Sequence, residues 1–207
     1  MNFLVKICGI TQEEDAATAV EAGANALGFN FYPRSPRYVR PERAHEIAGA
    51  VRGDYLRVGV FVNPSEADLR QTAEQVPLDV LQLHGEQSAY LPFPYRLWKS
   101  VDPSDPVTDP VSKFEAYLLD TPSKDFGGSG VTFPWQLAAQ FPRRFILAGG
   151  LDPHNVAEAI ATARPWGVDV CSRIELRPGR KDARRVREFV HAAHRAASRL
   201  LQSEMAL

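Results

Sequence analysis

Short hydrophobic runs rich in β-branched residues recur roughly every 20–30 residues along the chain, which is the spacing of strands joined by helices. The eight predicted strands are Phe3–Cys8, Ala26–Phe31, Arg57–Val62, Asp79–His84, Arg96–Val101, Ala116–Thr121, Phe145–Gly149 and Gly167–Ser172. Amphipathic stretches between them predict helices at Thr11–Glu21, Pro41–Ala50, Ser65–Gln75, Glu86–Leu91, Phe133–Gln140, His154–Ala163 and Asp182–Leu201. Ser65, Asp152 and Asp182 are suited to cap helix N-termini, and Pro41 and Pro153 to first-turn positions.

Strands that alternate with crossover helices pair in parallel, and a parallel sheet is covered on both faces. Eight such units predict an α/β protein with a single-domain (β/α)8 TIM barrel over residues 1–207, and a doubly wound open sheet is the competing architecture. The segment Asp102–Lys113 contains three prolines, so the fifth crossover is expected to be irregular.

Composition narrows the functional class. The chain has 24 basic and 25 acidic residues, a balance that argues against a nucleic-acid binder. Its two cysteines form no disulfide framework, which favours a reducing, cytoplasmic environment. No apolar stretch is long enough to cross a membrane, and the first strand begins too early to leave room for a signal peptide.

Polar residues follow several predicted strands, and the exits of all strands of a barrel share one rim. Cys8 ends the first strand, and Asp120 lies at the end of the sixth. Each has two readings. Cys8 is either an inert buried thiol or a thiolate base, and Asp120 is either a capping group or a proton donor whose pKa is raised by burial. His84, at the fourth exit, is either a proton carrier or a structural hydrogen-bonding residue, and the second reading is favoured.

Glycine-rich loops at the last three exits suggest a phosphate site. They contain Gly128, Ser129 and Gly130, then Gly149 and Gly150, and finally Ser172 beside Arg173. Glycines let backbone N–H groups approach an anion, and barrel enzymes commonly bind phosphate after their last strands. No cluster of histidine, cysteine and carboxylate residues has metal-ligand spacing, so no metal is expected.

Several motifs resemble those of the phosphoribosylanthranilate isomerase family, from Val5 to about Asp182. They are Lys6-Ile7-Cys8-Gly9-Ile10-Thr11, Ala26-Leu27-Gly28-Phe29, Ser35-Pro36-Arg37-Tyr38, Val58-Gly59-Val60-Phe61-Val62-Asn63, Leu81-Gln82-Leu83-His84-Gly85, Leu118-Leu119-Asp120-Thr121, Gly127-Gly128-Ser129-Gly130 and Leu147-Ala148-Gly149-Gly150-Leu151.

The resemblance implies a cofactor-free Amadori rearrangement in tryptophan biosynthesis, in which N-(5-phosphoribosyl)anthranilate becomes 1-(2-carboxyphenylamino)-1-deoxyribulose 5-phosphate. It implies that Asp120 is the general acid and Cys8 the general base. Arg37 would hold the anthranilate carboxylate, with His84 and Asp169 also at the substrate. The glycine-rich loops would hold the phosphate. The partner implied is a small phosphorylated metabolite, with no nucleic acid and no membrane, and the chain is expected to be a monomer or a homodimer.

The chain departs from the family pattern after its eighth strand, where the family commonly has Asp-Val-Ser-Ser-Gly-Val-Glu. Here Cys171 replaces a serine, and Arg173 replaces a glycine beside the expected phosphate. A charged clamp by Arg173 is the favoured reading. Closure of a barrel places strands one and eight side by side, so Cys8 and Cys171 are expected to be neighbours, and we hypothesise that oxidation silences the base. Asp169 is a candidate for orienting Cys8 or accepting its proton, or for a core hydrogen bond.

Two other functions remain open on the sequence. One is a phosphosugar barrel enzyme of the indole-glycerol-phosphate synthase type, which commonly uses lysine acids and a glutamate rather than a Cys8 and Asp120 pair. The other is a non-catalytic barrel that binds phosphorylated metabolites, which the substitution at Arg173 keeps open.

Overall fold

The computed structural model describes residues 3–85, 95–105, 113–121 and 132–205. Within them, eight parallel strands close into a barrel in chain order, with β8 paired to β1. The strands are β1 Leu4–Cys8, β2 Ala26–Asn30, β3 Leu56–Val62, β4 Val80–His84, β5 Arg96–Val101, β6 Ala116–Leu119, β7 Phe145–Leu147 and β8 Gly167–Val170. The barrel predicted from the hydrophobic periodicity is therefore confirmed, and the open sheet is not formed.

Six helices lie among the described residues, and a short hairpin follows the barrel. The helices are α1 Glu13–Glu21, α2 Pro41–Ala50, α3 Glu66–Gln75, α4 Trp135–Ala138, α5 Val156–Ala163 and α6 Ala183–Met205, and the hairpin strands are β9 Glu175–Arg177 and β10 Arg180–Lys181. The hairpin was not predicted, and α4 is a single turn where a longer helix was expected. The predicted helix Glu86–Leu91 and much of the fifth crossover lie outside the described residues.

Helix starts follow the expected capping chemistry. Ser65 and Asp68 form a reciprocal capping box, in which the Ser65 hydroxyl accepts the Asp68 N–H and the Asp68 carboxylate accepts the Ser65 N–H. Pro41 occupies the first turn of α2, and the Asp182 carboxylate accepts the N–H groups of Arg184 and Arg185 at the start of α6. These contacts fix where each helix leaves the rim.

Strand alternation divides the core into two layers. The inner layer fills the barrel and contains Leu4, Ala26, Val58, Val80, Trp98, Ala116, Leu118, Ile146 and Ala148. Trp98 is fully buried in this layer, and its ring contacts that of Trp166 edge-on at 5.9 Å. The outer layer, with residues such as Val5, Ile7 and Phe189, packs between the strands and the helices. Because apolar side chains fill the barrel itself, the polar residues of the inner face gather at its carboxyl rim.

Candidate active site

Cys8 lies on the inner face of β1, at its carboxyl end. Successive side chains of a strand point to opposite faces, so Leu4, Lys6 and Cys8, two residues apart, all point into the barrel. The Cys8 side chain is almost buried, and Gly28 of β2 lies directly against it. A Cβ atom at Gly28 would lie 2.8 Å from the Cys8 Sγ and 3.1 Å from the Lys6 Nζ. The glycine therefore leaves the room that these two side chains occupy.

Lys6 and Asp169 form a buried ion pair beneath Cys8. The Lys6 Nζ lies 2.7 Å from the Asp169 Oδ1, and the two side chains are 0% and 9% exposed. β1 and β8 pair with Lys6 beside Asp169, which explains the contact. Burial opposes the charge on Lys6, but attraction to Asp169 and to Cys8 outweighs it and raises the lysine pKa. The pair places two opposite, mutually neutralising charges at the floor of the mouth.

Cys171 lies beside Cys8, and each thiol shifts the pKa of the other. The last paired residues of β1 and β8 are Ile7 and Val170, so the next residue on each strand is a cysteine. Both cysteines are free thiols. The neighbours expected from barrel closure are confirmed, whereas the effect of oxidation stays a prediction.

A cluster of charged residues surrounds Cys171. Arg37, from the loop after β2, donates to both carboxylate oxygens of Glu175 through Nε at 3.0 and 3.1 Å, and through Nη2 at 2.8 Å. Lys181 of β10 reaches the same carboxylate at 2.9 Å and the Cys171 Sγ at 3.7 Å. Glu175 is buried, but these cations outweigh the effect of burial and lower its pKa. The hairpin β9–β10 thus brings two charges to the rim.

The two thiols are not equivalent. Contact with Cys8 and the nearby cations Lys181 and Arg37 lower the pKa of Cys171 to about 7, against the effect of burial. The same contact, together with burial, raises the pKa of Cys8 well above its usual range. The two thiols titrate as a coupled pair, and these directions favour ionisation of Cys171 before Cys8.

Asp120 follows β6 and is half-buried on the inner side of the rim. Burial and the nearby negative charges of Asp169 and Cys8 raise its pKa to about 7, and the Thr121 N–H, which donates to Oδ1 at 2.8 Å, opposes that rise. Gly149 lies against this carboxyl group: a Cβ there would be 3.2 Å from the Asp120 Oδ1, and its φ of +81° suits glycine. Asp120 is thus a carboxyl group that keeps its proton close to neutral pH.

His84 lies on the inner face of β4 and is buried. Its Nε2 is 2.8 Å from the Gln82 Nε2, and burial together with the charge of Lys6 lowers its pKa to about 4. The ring is therefore neutral at pH 7, which agrees with a hydrogen-bonding group rather than a proton carrier.

The phosphate-site residues are described only in part. Gly149 and Gly150 have positive φ values at the exit of β7, and Ser172 begins a short 3-10 helix after β8. Ser172 and the exposed Arg173 line a cavity of about 400 Å³ with Asp152, His154, Arg184 and neighbouring α6 residues. Gly128, Ser129 and Gly130 lie outside the described residues.

The structure brings Cys8, Asp120, Asp169, His84 and Arg37 to one rim. The sequence analysis assigned no role to three further residues of this site, Lys6, Glu175 and Lys181. A lysine in an otherwise apolar strand, two residues before Cys8, was the available signal for Lys6. In the described part of the chain, no group of three or more His, Cys, Asp or Glu residues could hold a metal ion.

Comparisons with known proteins agree on one family. The family model for N-(5'-phosphoribosyl)anthranilate (PRA) isomerase matches residues 5–192. A relative of that name from Solibacter usitatus is 48% identical over 199 residues, covering 94% of this chain and 98% of its own. The crystal structure of a phosphoribosyl anthranilate isomerase from Thermus thermophilus is similar at TM-score 0.80 and 35% identity, covering 91% and 97% of the two chains. Another, solved in complex with reduced 1-(o-carboxyphenylamino)-1-deoxyribulose 5-phosphate, is similar at TM-score 0.75 and 37% identity, covering 93% and 98%.

Proposed function

The chain belongs to the N-(5'-phosphoribosyl)anthranilate isomerase family, and from this membership we propose that Asp120 and Cys8 perform the two proton transfers of its reaction. The protein is an isomerase of tryptophan biosynthesis with a phosphorylated small-molecule substrate. The roles of its residues follow from their surroundings.

Asp120 is the general acid. Opening of the furanose ring needs a proton on the ring oxygen as the bond to the anomeric carbon breaks, and the product is a Schiff base. A carboxylic acid of ordinary pKa would be ionised at pH 7, whereas burial and neighbouring charges hold the pKa of Asp120 at about 7. A substantial fraction of the enzyme therefore carries the proton that this step uses.

Cys8 is the general base. It removes the proton from the second carbon of the sugar, and the electron pair moves toward the Schiff-base nitrogen to give an enolamine. The buried ion pair of Lys6 and Asp169 lies below the thiol, and Gly28 leaves space on its β2 side. These neighbours hold the sulfur in the mouth without covering it.

Arg37 binds the carboxylate of the substrate. Glu175 accepts hydrogen bonds from Nε and Nη2, which fixes the guanidinium plane, and this contact does not use the Nη1 edge. A planar, preoriented guanidinium suits a carboxylate. At the other end, Gly149, Gly150, Ser172 and Arg173 bind the phosphate, together with Gly128, Ser129 and Gly130. Arg173 acts there as a charged clamp where the family commonly has glycine.

The observation that carries this proposal is that Cys8 and Asp120 lie at the carboxyl ends of β1 and β6, on the inner side of one barrel rim. An acid and a base at one partly desolvated mouth can act on the same substrate. A binding protein would not need a carboxyl group whose pKa is raised to about 7.

The test follows the fluorescence of phosphoribosylanthranilate, made in situ, after addition of the protein. We expect the wild-type protein to remove it, and Cys8→Ala and Asp120→Asn each to slow the decay by about 10²–10⁴-fold, the usual contribution of one proton-transfer group. Ser198→Ala and Asp54→Asn make changes of similar size at exposed residues, a serine in place of a second free cysteine and an aspartate, and serve as controls. A near-wild-type rate in either site variant would rule out the role assigned to that residue. An inactive wild type would favour the alternative of a non-catalytic barrel that binds phosphorylated metabolites.

Three further assignments are part of this proposal. Residues 1–207 form one barrel domain, which acts in the cytoplasm as a monomer or homodimer. A Thermotoga maritima relative is described as dimeric, and sedimentation of this protein tests its own state. Among the described residues, no helix is both long and apolar enough to span a membrane.

A further inference from the structure

The only two cysteines of the chain meet at the seam where the barrel closes. Cys8 ends β1, Cys171 follows β8, and the pairing of Ile7 with Val170 places the two cysteines side by side. One of the two sulfurs is the proposed base, and the other replaces the serine common in the family. The pair therefore adds a second ionisable group in direct contact with the reacting one.

Charges around the pair favour ionisation of Cys171. The Lys181 Nζ lies 3.7 Å from its sulfur, and Arg37 also attracts it. Glu175 opposes this at 4.0 Å, but its carboxylate already accepts hydrogen bonds from Arg37, Lys181 and the Gly179 N–H.

The surroundings of Cys8 are less favourable to a negative charge. Its nearest cation, Lys6, is neutralised by Asp169 at 2.7 Å. Asp169 itself adds a negative charge close to Cys8. These surroundings favour the proton on Cys8 and the negative charge on Cys171.

We propose that Cys171 is a positioning residue for the base: it holds the negative charge of the thiol pair in the free enzyme and takes the proton of Cys8 when substrate binds. This inference rests on the proposed function, because it needs Cys8 as the base and Arg37 as the carboxylate site.

The trigger is the carboxylate of the substrate. When it binds Arg37, a second negative charge arrives beside Cys171 and weakens the support that its thiolate receives. The shared proton then moves along the hydrogen bond from the Cys8 sulfur to the Cys171 sulfur. Cys8 becomes the thiolate while facing the substrate, and burial is no longer an obstacle to its ionisation, because the pair as a whole is already charged.

The protons balance over the reaction. Asp120 gives one proton to the ring oxygen, and Cys8 takes one proton from the second carbon. The enzyme as a whole therefore loses one proton and gains one. The enolamine becomes the ketone by losing a proton from oxygen and gaining one at the first carbon. The enzyme is reset when one proton leaves the thiol pair and one returns to Asp120.

The first experiment titrates thiolate absorbance near 240 nm from pH 5 to 10 in three proteins. The wild type is expected to ionise first with a midpoint of about 7. In Cys171→Ser the remaining thiol is Cys8, and its midpoint is expected at least about one pH unit higher. In Cys8→Ala the remaining thiol is Cys171, and it must ionise at lower pH than Cys8 does in Cys171→Ser. Equal midpoints, or the reverse order, would overturn the proposal. Cys171→Ala repeats the measurement with no hydroxyl at that position.

The second experiment compares the pH dependence of kcat/KM in the wild type and in Cys171→Ser. The kcat/KM of the wild type divided by that of Cys171→Ser is expected to be about ten at pH 6 and to fall toward one at pH 9, because the pKa of the thiol is higher in the variant. A structural defect would give a constant ratio, and that result would also overturn the proposal. An active Cys8→Ala enzyme would instead refute the proposed function, so the two failures are distinguishable.

Discussion

Cys8 and Asp120 lie in the same mouth, but the protein surrounds them in different ways. The seam of β1 and β8 holds a connected network: Lys6 with Asp169 and, at the rim, Arg37 and Lys181 with Glu175. On the opposite side, the Asp120 carboxyl group accepts a hydrogen bond from the Thr121 backbone N–H. Cations are concentrated on the side of the base, and burial dominates on the side of the acid.

The difference follows from what each group must hold. A base must carry a negative charge in a desolvated site, so it needs nearby cations, and each cation in turn needs a partner. An acid must keep a proton, so it needs burial and the absence of a close cation. The base side consequently has many contacts to disturb, and the acid side has few.

Oxidation is expected to have the largest effect, because it acts on the base side alone. The Cys171 thiolate attacks hydrogen peroxide, the O–O bond breaks, and a sulfenic acid and hydroxide form. The Cys8 thiol then displaces water and forms a disulfide. We expect complete loss of isomerase activity at neutral pH, a mass decrease of about 2 Da for the two lost hydrogens, and recovery with dithiothreitol.

Cys171→Ser shows whether the effect of peroxide needs both thiols or Cys8 alone. It should lack the disulfide and lose activity more slowly, because Cys8 alone is mainly protonated. Full activity of the wild type after peroxide, with no change reversible by dithiothreitol, would refute the hypothesis.

Removing the buried cation beneath the base should cost the most stability. Lys6→Met leaves the buried carboxylate of Asp169 without a partner, and we expect a loss of about 3–5 kcal/mol in the free energy of unfolding. The double change Lys6→Met/Asp169→Asn removes both charges and should recover most of it, but not the activity. Denaturant unfolding measures each variant.

Arg43→Met is the control, since its partner Glu46 is exposed and such a pair contributes about 0–1 kcal/mol. A small effect of Lys6→Met, similar to that control, would mean that water or a neighbour compensates Asp169, and the network would not be as tightly coupled as described.

The sequence predicted the barrel and much of its rim, because strand periodicity and chain order determine both. Cys8, Asp120 and Asp169 could be placed from their strand positions, and the contact of Cys8 with Cys171 from closure of the barrel. The buried role of Lys6 was missed, because a lysine is ordinarily exposed unless a partner is known. That partner, Asp169, is 163 residues away.

The cluster of Glu175 and Lys181 could not be predicted for a different reason. It depends on the β9–β10 hairpin, a short pair of strands with an exposed Leu176 and no hydrophobic run to reveal it. β8 also ends earlier than predicted, at Val170, and the chain turns into a 3-10 helix that carries Ser172 and Arg173. Tertiary contacts set both features.

Gly28→Ala tests the space beside the base with a smaller change. The added Cβ would lie 2.8 Å from the Cys8 Sγ and 3.1 Å from the Cys8 Cα, so the sulfur or the backbone must move. We expect a loss of about 1–3 kcal/mol from overpacking and a decrease in kcat of about 10- to 100-fold from misplacement of the base.

Gly49→Ala is the matched control, because a Cβ at this helical glycine meets nothing within 4 Å. It should be neutral for activity and add about 0.5–1 kcal/mol of stability. Wild-type kinetics in Gly28→Ala would show that the position of the Cys8 sulfur is not restricted by β2.

Among the site variants, Asp120→Asn should have the smallest effect on stability, and it should stabilise the protein rather than destabilise it. The pKa of Asp120 is raised by burial to about 7 in the folded protein, against an unfolded value of about 3.9. Below pH 4 both states hold the proton, and the group contributes nothing. Between pH 4 and 7 the unfolded state ionises first, so the wild type loses stability progressively, and above pH 7 the loss is complete.

Because the carboxyl group is only half-buried, we expect Asp120→Asn to be more stable than the wild type by about 1–2 kcal/mol at pH 8. The difference should vanish near pH 4 and be absent in Asp54→Asn. An inactive variant that is more stable than the wild type at pH 8 but not at pH 4 is what a buried carboxyl group with a raised pKa predicts; equal stability at both pH values would mean that Asp120 titrates normally and that the two sides of the mouth do not differ as described.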